Sequence, residues 1–169
     1  MSESLLKGNS LWVQKMKPEF FQKLGNPQKP SYLYIGCSDA RVDPIQLLGL
    51  EIGTLFIHRN VGNLVYENDD NIGAVIEYAM TVLAIPNILV VGHYDCGAVH
   101  AARCETCKMT WLSGLRKIAL ENETSSERRL AELNVIDQCS NISIICKQFN
   151  PVVIGFIFDP KDGLLKQLY

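Results

Sequence analysis

The segment 88–92, Ile-Leu-Val-Val-Gly, carries no polar side chain, and it constrains the fold more than any other part of the chain. A strand with one face in water alternates apolar and polar residues, so an uninterrupted apolar run indicates a strand buried on both faces. Further strands are predicted at 32–36, 54–58 and 151–158, with helical patterns between them and a short edge strand at 164–169. Such alternation predicts an α/β fold with a mostly parallel central sheet flanked by helices.

The helices are predicted from apolar periodicity and from their start signals. Asp43-Pro44 starts a short helix, with the aspartate as N-cap and the proline at the first helical position. Asn71 is expected to cap an amphipathic helix, and Thr124 with Glu127 fits the capping box of a long helix.

The N-terminal region is predicted to be a helical arm. Apolar residues recur at helical spacing over 4–24, and Pro18 divides them into two helical pieces. A chain of this length suits one domain, 1–169, of which 1–26 form the arm. Such an apolar segment has to be buried, so it either folds over its own domain or reaches across to a second subunit.

The composition argues against several kinds of partner. A net charge of −2 gives no reason to expect binding to nucleic acid or to an anionic membrane. No apolar run approaches the roughly 20 residues of a membrane span, and the N-terminus lacks the basic and apolar regions of a secretory signal. We therefore expect a soluble cytoplasmic protein with no nucleic-acid and no membrane partner.

The six cysteines are expected to be free or metal-bound, because the cytosol keeps thiols reduced. Cys139 and Cys146 lie in a helical pattern and are interpreted as small buried apolar residues. Cys104 and Cys107 form a C-x-x-C, but no strand precedes them, so a thioredoxin-like redox role is the weaker interpretation. We favour incidental thiols at this position.

Two short segments carry most of the candidate chemistry. One contains Cys37 and follows the first strand, and the other contains His93, Cys96 and Gly97 and follows the all-apolar strand. The carboxyl ends of parallel strands meet at one edge of a sheet, where open α/β folds bind their ligands. Two thiolates and an imidazole suit Zn²⁺, and three protein ligands leave a fourth tetrahedral position, as in catalytic zinc sites.

Asp39 and Arg41 lie just beyond the first candidate ligand. The Arg41 guanidinium can hold the Asp39 carboxylate through two parallel hydrogen bonds, and a carboxylate held in this way binds zinc less well. The pair is therefore a candidate switch between water and Asp39 at the fourth position. Two thiolates already neutralise Zn²⁺, so we expect activity to rise toward alkaline pH, and a flat rate profile would contradict this.

These residues also resemble a known family. Cys-Ser-Asp-Ala-Arg-Val at 37–42, followed by His-x-x-Cys-Gly at 93–97, is similar to the β-class carbonic anhydrases. The resemblance extends over nearly the whole chain and includes Leu11-Trp12-Val13, Gln28-Lys29-Pro30, His58-Arg59-Asn60-Val61-Gly62-Asn63, Ile76-Glu77-Tyr78-Ala79, Leu133-Asn134-Val135 with Gln138, and Gly155 with Asp159 and Gly163-Leu164.

The resemblance implies a zinc lyase that converts CO₂ to bicarbonate and a proton. Zinc would be held by Cys37, His93 and Cys96, with Asp39 and Arg41 as the catalytic dyad, and Asp39 would itself ligate zinc in a closed state. Zinc-bound hydroxide would attack CO₂ while Asp39 accepts its hydrogen bond.

The resemblance also implies an assembly and further contacts to substrate. Gln28 and Gly97 match substrate-binding positions, and the family's active site lies near a subunit interface. We therefore expect a homodimer, or a tetramer built from dimers, in which the N-terminal arm packs on the partner subunit.

A regulatory bicarbonate site is a further implication. One subgroup binds bicarbonate away from zinc through a Trp, an Arg and a Tyr. Arg59 and Tyr78 match two of these positions, whereas Tyr34 stands where the Trp is usual. Arg59 is equally well interpreted as a structural residue of an interface.

Three alternatives remain open from the sequence. The same zinc site would serve a hydrolase acting on CO₂-like molecules such as carbonyl sulfide or carbon disulfide. A non-catalytic zinc-stabilised binding protein would keep its site permanently closed by Asp39, which leaves Arg41 and Gln28 without a purpose. A redox protein that uses Cys104 and Cys107 ranks last.

Overall fold

One five-stranded sheet runs through the computed structural model, which describes residues 2–169; Met1, at the start of the predicted arm, lies outside the described residues. The strands are β1 (Tyr32–Cys37), β2 (Leu55–Asn60), β3 (Asn87–His93), β4 (Val152–Phe158) and β5 (Leu165–Gln167). Their order across the sheet is β2-β1-β3-β4-β5. The first three pairings are parallel and β5 is antiparallel to β4, so the predicted mostly parallel sheet with a short edge strand is confirmed.

Seven α-helices are found in the described part of the chain. They are α1 (Ser2–Lys15), α2 (Pro18–Leu24), α3 (Pro44–Leu47), α4 (Asp70–Thr81), α5 (Gly97–Arg103), α6 (Ser113–Glu121) and α7 (Glu127–Ile145), with a 3₁₀ turn at Thr110–Leu112 before α6. Over residues 2–169, none of these helices combines the length and the apolar character that crossing a bilayer requires.

Two of the predicted helix caps are wrong by two residues. Asp43 caps α3 as predicted, but α4 is capped by Asp69, whose carboxylate accepts the backbone N–H of Asn71 at 2.9 Å. Likewise α7 is capped by Ser126 and not by Thr124. In both cases a second good capping residue lies two positions away, and sequence alone does not separate such neighbours.

The core lies on both faces of the sheet, as the apolar β3 run requires. Ile88 and Val90 belong to the larger cluster, which α4 to α7 cover. Leu89 and Val91 face the other way, into a smaller cluster with Tyr34 and with apolar side chains of the α3 region. The strand that ends at the candidate ligand His93 is therefore fixed from both sides.

The N-terminal arm is two helices, as Pro18 predicts, but it buries little of its apolar surface. No residue of α1 is buried, and Leu5 and Leu6 are 71% and 67% exposed. The two helices contact each other through edge-on rings, with Trp12 5.8 Å from Phe20 and 5.5 Å from Phe21 between centroids. Within one chain the arm therefore presents apolar side chains to solvent.

Candidate metal centre

The two candidate segments meet at the carboxyl edge of the sheet. Cys37 is the last residue of β1 and His93 the last residue of β3, and these parallel strands are hydrogen-bonded neighbours. Cys96 is the N-cap of α5, three residues after His93. The three ligand atoms all lie within 4.8 Å of one another, and all three residues are buried. The predicted convergence of Cys37, His93 and Cys96 is therefore observed.

The geometry of this cluster fits a zinc ion. The Sγ atoms of Cys37 and Cys96 are 4.0 Å apart, close to the ~3.8 Å expected for two Zn–S bonds of about 2.3 Å at a tetrahedral angle. The Nδ1 of His93 lies 2.8 Å from the Tyr94 carbonyl, which can accept but not donate, so Nδ1 carries the proton. This leaves the Nε2 lone pair free, and buried Nε2 has no hydrogen-bond partner among residues 2–169. An unpartnered buried nitrogen beside two thiols is explained by a metal ligand.

The two thiols differ in how readily they lose a proton. The hydrogen bond from the Cys96 thiol lowers the pKa of Cys37, and contacts from His93 and from the Gly62 N–H at 3.4 Å act in the same direction. The same contact with Cys37, together with burial, raises the pKa of Cys96. Loss of the second proton therefore requires a nearby positive charge, which a divalent metal supplies.

Asp39 is held by Arg41 beside the cluster. The Arg41 Nε and Nη2 donate to the two Asp39 carboxylate oxygens at 2.9 and 2.8 Å, and the Arg41 backbone N–H donates at 2.9 Å. These hydrogen bonds hold the pKa of Asp39 well below its usual range. Asp39 Oδ2 is 3.7 Å from His93 Nε2. The structure therefore places an ionised carboxylate at the edge of the three-ligand cluster, paired with arginine.

Arg59 fixes the backbone of the segment that carries Cys37 and Asp39. Its guanidinium donates to the Cys37 carbonyl and to the Asp39 carbonyl, both at 2.8 Å. Arg59 therefore holds backbone of its own chain, while its roles at an interface and in binding bicarbonate stay predictions.

The other two residues of the suggested bicarbonate site lie on opposite faces of the sheet. Tyr34 is fully buried in the smaller cluster, and its hydroxyl has no hydrogen-bond partner in the described structure. Tyr78 is 43% exposed and its ring lies 5.8 Å from that of Phe56, which packs against the larger cluster. One chain therefore does not bring Tyr34 and Tyr78 together.

The two suggested substrate-binding residues also lie apart. Gly97 directly follows Cys96, and no atom lies within 4 Å of where its Cβ would be, so the backbone there borders open space. Gln28 precedes β1 and lines a groove with Ser31 and Thr54, at the end of the sheet opposite to Cys37. Within one chain, Gln28 is therefore not part of the cluster.

Sequence reasoning assigned no role to two buried polar residues of α7. Asn134 donates to the Gly62 carbonyl at 2.9 Å, and Gln138 donates to Asn134 at 3.0 Å and accepts the Val65 N–H at 2.8 Å. Since the Gly62 N–H donates to the Cys37 sulfur, Asn134 positions the residue that contacts this candidate metal ligand. The available signal was two amides one helical turn apart in an otherwise apolar pattern.

The fold and the Cys–His–Cys cluster define an α/β protein with a group of side chains that could hold a metal ion at the edge of its sheet. The family model described as carbonic anhydrase matches residues 32–165. A carbonic anhydrase of Emericella nidulans is 38% identical over 98% of this chain and 82% of its own length, and one of Candida albicans is 32% identical over 98% and 67%. The chain belongs to the β-carbonic anhydrase family.

Solved structures agree with this assignment. The β-carbonic anhydrase CafA of Aspergillus fumigatus superposes with a TM-score of 0.87 at 32% identity, covering 98% of this chain and 89% of that one. One of two tetrameric β-carbonic anhydrases from Sordaria macrospora gives a TM-score of 0.90 at 30% identity, covering 98% and 95%.

Proposed function

We propose that the chain catalyses the reversible hydration of CO₂ to bicarbonate and a proton, with zinc held by Cys37, His93 and Cys96. The observation that carries this proposal is the buried three-ligand cluster with an ionised Asp39 at its edge. Family membership supports the same reaction. Zinc, when bound, supplies the positive charge that makes a water molecule acidic enough to act as a nucleophile near neutral pH.

The protein's own part in this reaction centres on Asp39. Because Arg41 keeps the carboxylate ionised, Asp39 can accept hydrogen bonds but cannot donate one. It therefore orients a nucleophilic water by accepting its proton in a hydrogen bond. The Arg41 pairing also draws Asp39 away from use as a fourth ligand. Two anionic thiolates lower the effective charge of the site, which supports a rate that rises toward alkaline pH.

Assembly completes the proposed site. The arm exposes apolar residues such as Leu5 and Leu6, and Gln28 lies at the far end of its own sheet. Packing of the arm on a second copy would bury this surface and would let the partner bring a glutamine to the cluster. We infer a homodimer or a dimer of dimers, which light scattering of the full chain will measure; a monomer would contradict it. The cytoplasmic location stays a prediction.

The test of the reaction is stopped-flow CO₂ hydration by the zinc-loaded chain between mildly acidic and basic pH. Asp39→Asn replaces an acceptor by an amide that also donates, and we expect a rate reduction of about 100-fold or more. Asp43→Asn is the matched control, because asparagine caps α3 as well as aspartate does. An inactive zinc-loaded wild type would refute the proposal, and turnover of carbonyl sulfide in that case would favour the hydrolase.

A regulatory bicarbonate site stays a prediction. Arg59 and Tyr34 lie near each other, since the Arg59 charge acts on the Tyr34 hydroxyl, but Tyr78 lies on the other face. Sigmoidal bicarbonate dependence that becomes hyperbolic in Tyr78→Phe would support the site. Hyperbolic kinetics in the wild type would contradict it.

A further inference from the structure

The C-x-x-C segment lies in a surface turn after α5, away from the metal centre. Cys104 is the C-cap of α5, and the Cys107 N–H donates to the Cys104 carbonyl at 3.2 Å, which closes the turn. Both cysteines are partly exposed. The ends of such a turn have Cα atoms less than about 7 Å apart, and a disulfide spans Cα separations of about 4.4–6.8 Å. The backbone therefore already brings the two residues within reach of a disulfide.

The surroundings of the turn favour a reactive thiol. Cys104 Sγ lies 3.2 Å from the Thr106 hydroxyl, and hydrogen bonds from the Cys107 thiol and from Thr106 lower the pKa of Cys104 to about 7. The Arg116 guanidinium donates to the carbonyls of both cysteines, and its positive charge favours the thiolate of Cys107. A surface cavity of about 310 Å³ lies next to Cys104 and is lined by two arginines and two glutamates, Arg103, Arg116, Glu105 and Glu123, so it is polar without a net charge and leaves room for a small disulfide.

The other cysteines do not share these features. Cys139 and Cys146 are fully buried, and burial raises the pKa of their thiols to about 12 and about 11. Cys37 and Cys96 belong, with His93, to the candidate metal cluster described above. The turn at Cys104 therefore holds a dithiol that neither the core nor the metal centre uses.

We propose that Cys104 and Cys107 form a redox-active dithiol that exchanges with low-molecular-weight disulfides such as oxidised glutathione. The Cys104 thiolate attacks one sulfur of the small disulfide, forming a mixed disulfide and releasing one small thiolate. The Cys107 thiol then loses its proton, its sulfur attacks Cys104 Sγ, and the second small thiolate leaves. Two protein thiols are oxidised by two electrons, the small disulfide is reduced to two thiols, and the two protons end on these products.

The expected reactivity follows from the thiolate fraction. At pH 7, a thiol with a pKa of about 7 is half ionised, against roughly 3% for an ordinary thiol of pKa ~8.5. Lower basicity reduces the intrinsic nucleophilicity by a factor of about five over that interval. Cys104 should therefore be alkylated about threefold faster at pH 7 than an ordinary exposed cysteine in a peptide.

The experiment equilibrates the zinc-loaded full chain in buffers of graded reduced and oxidised glutathione, followed by alkylation and mass spectrometry. We expect the loss of two hydrogens and of two alkylation sites, both mapped to the peptide that contains Cys104 and Cys107. Cys107→Ser should stop at a stable adduct of one glutathione on Cys104, whereas Cys146→Ala should behave as wild type.

Three results would overturn the proposal. The first is full alkylation of Cys104 and Cys107 at every glutathione ratio, and the second is a disulfide formed by other cysteines instead. Binding of a second zinc per chain, lost in Cys104→Ser, would make the turn part of a metal site. Since none of these measurements depends on CO₂ turnover, they are independent of the proposed function.

Discussion

The support that α7 gives to the metal centre can be tested with Asn134→Leu. Leucine has the same branched shape and the same number of side-chain heavy atoms as asparagine and keeps the helix, but it removes the donor to the Gly62 carbonyl at 2.9 Å. Gln138 loses its bond to Asn134 but keeps Asp137 as an acceptor at 3.0 Å. The substitution therefore leaves the carbonyl of Gly62 without its donor, and the N–H of the same residue donates to the Cys37 sulfur.

The structure allows an estimate of both effects. Asn134 is 2% exposed, and an unsatisfied buried polar group costs about 1–3 kcal/mol of folding free energy. For a domain of this size, each kcal/mol lowers the melting temperature by roughly 2–4 °C. Displacement of the Gly62 N–H should in addition lower zinc affinity by about 10–100-fold, as loss of an outer-shell partner does in metal sites.

The assay is thermal unfolding with and without zinc, combined with competition for zinc by a chelator. Ser140→Ala is the matched control, because it removes a side-chain hydrogen bond of α7 to its own helix, at 3.0 Å, without touching the Gly62 loop. We expect the control to change neither quantity appreciably. If Asn134→Leu lowers the melting temperature but leaves zinc affinity equal to that of wild type, the coupling from α7 through Gly62 to Cys37 is refuted.

Two further substitutions test the surroundings of the cluster. Because Arg41 lowers the pKa of Asp39, their pairing stabilises the fold above the ordinary carboxyl pKa of ~3.9, and this stabilisation is lost as pH falls below it. Arg41→Ala should therefore flatten the decline of the unfolding free energy, measured with urea, between about pH 5 and 2. An unchanged dependence of this free energy on pH would contradict the prediction. Gly62 has φ +88°, and a Cβ there would lie 2.8 Å from the Ala98 Cβ, so Gly62→Ala should cost about 1–3 kcal/mol of stability in chemical denaturation. A Gly62→Ala chain as stable as wild type would show that the loop relaxes freely.

Strand positions and the convergence of the candidate ligands Cys37, His93 and Cys96 were predictable because both depend on short-range pattern. The apolar run of β3 required burial on two faces, and parallel neighbours must place Cys37 and His93 at one edge. The caps were less predictable, because Asp69 and Asn71 are both good capping residues and the sequence alone does not separate them.

Residues that depend on assembly or on side-chain direction were beyond the sequence pattern. Gln28 lies at the opposite end of the sheet from Cys37, so a role for it at the cluster requires a second subunit. Tyr34 of β1 points into the smaller cluster on one face of the sheet. Tyr78 belongs to α4, which packs against the larger cluster on the other face. Matching of positions to a motif does not report either fact.

The supporting contacts of the metal centre explain why its ligands are easier to predict than its environment. Arg59 and Asn134 act on main-chain carbonyls, of Cys37 and Asp39 in one case and of Gly62 in the other. Every residue type has such a carbonyl, so the sequence of the accepting segment carries no sign of the contact. The candidate zinc ligands, in contrast, belong to a few residue types and lie at the ends of two strands or at the start of the helix that follows. Short local motifs therefore predict the chemistry of the cluster. Its rigidity comes from contacts between distant segments, such as Asn134 and Gly62, which are 72 residues apart.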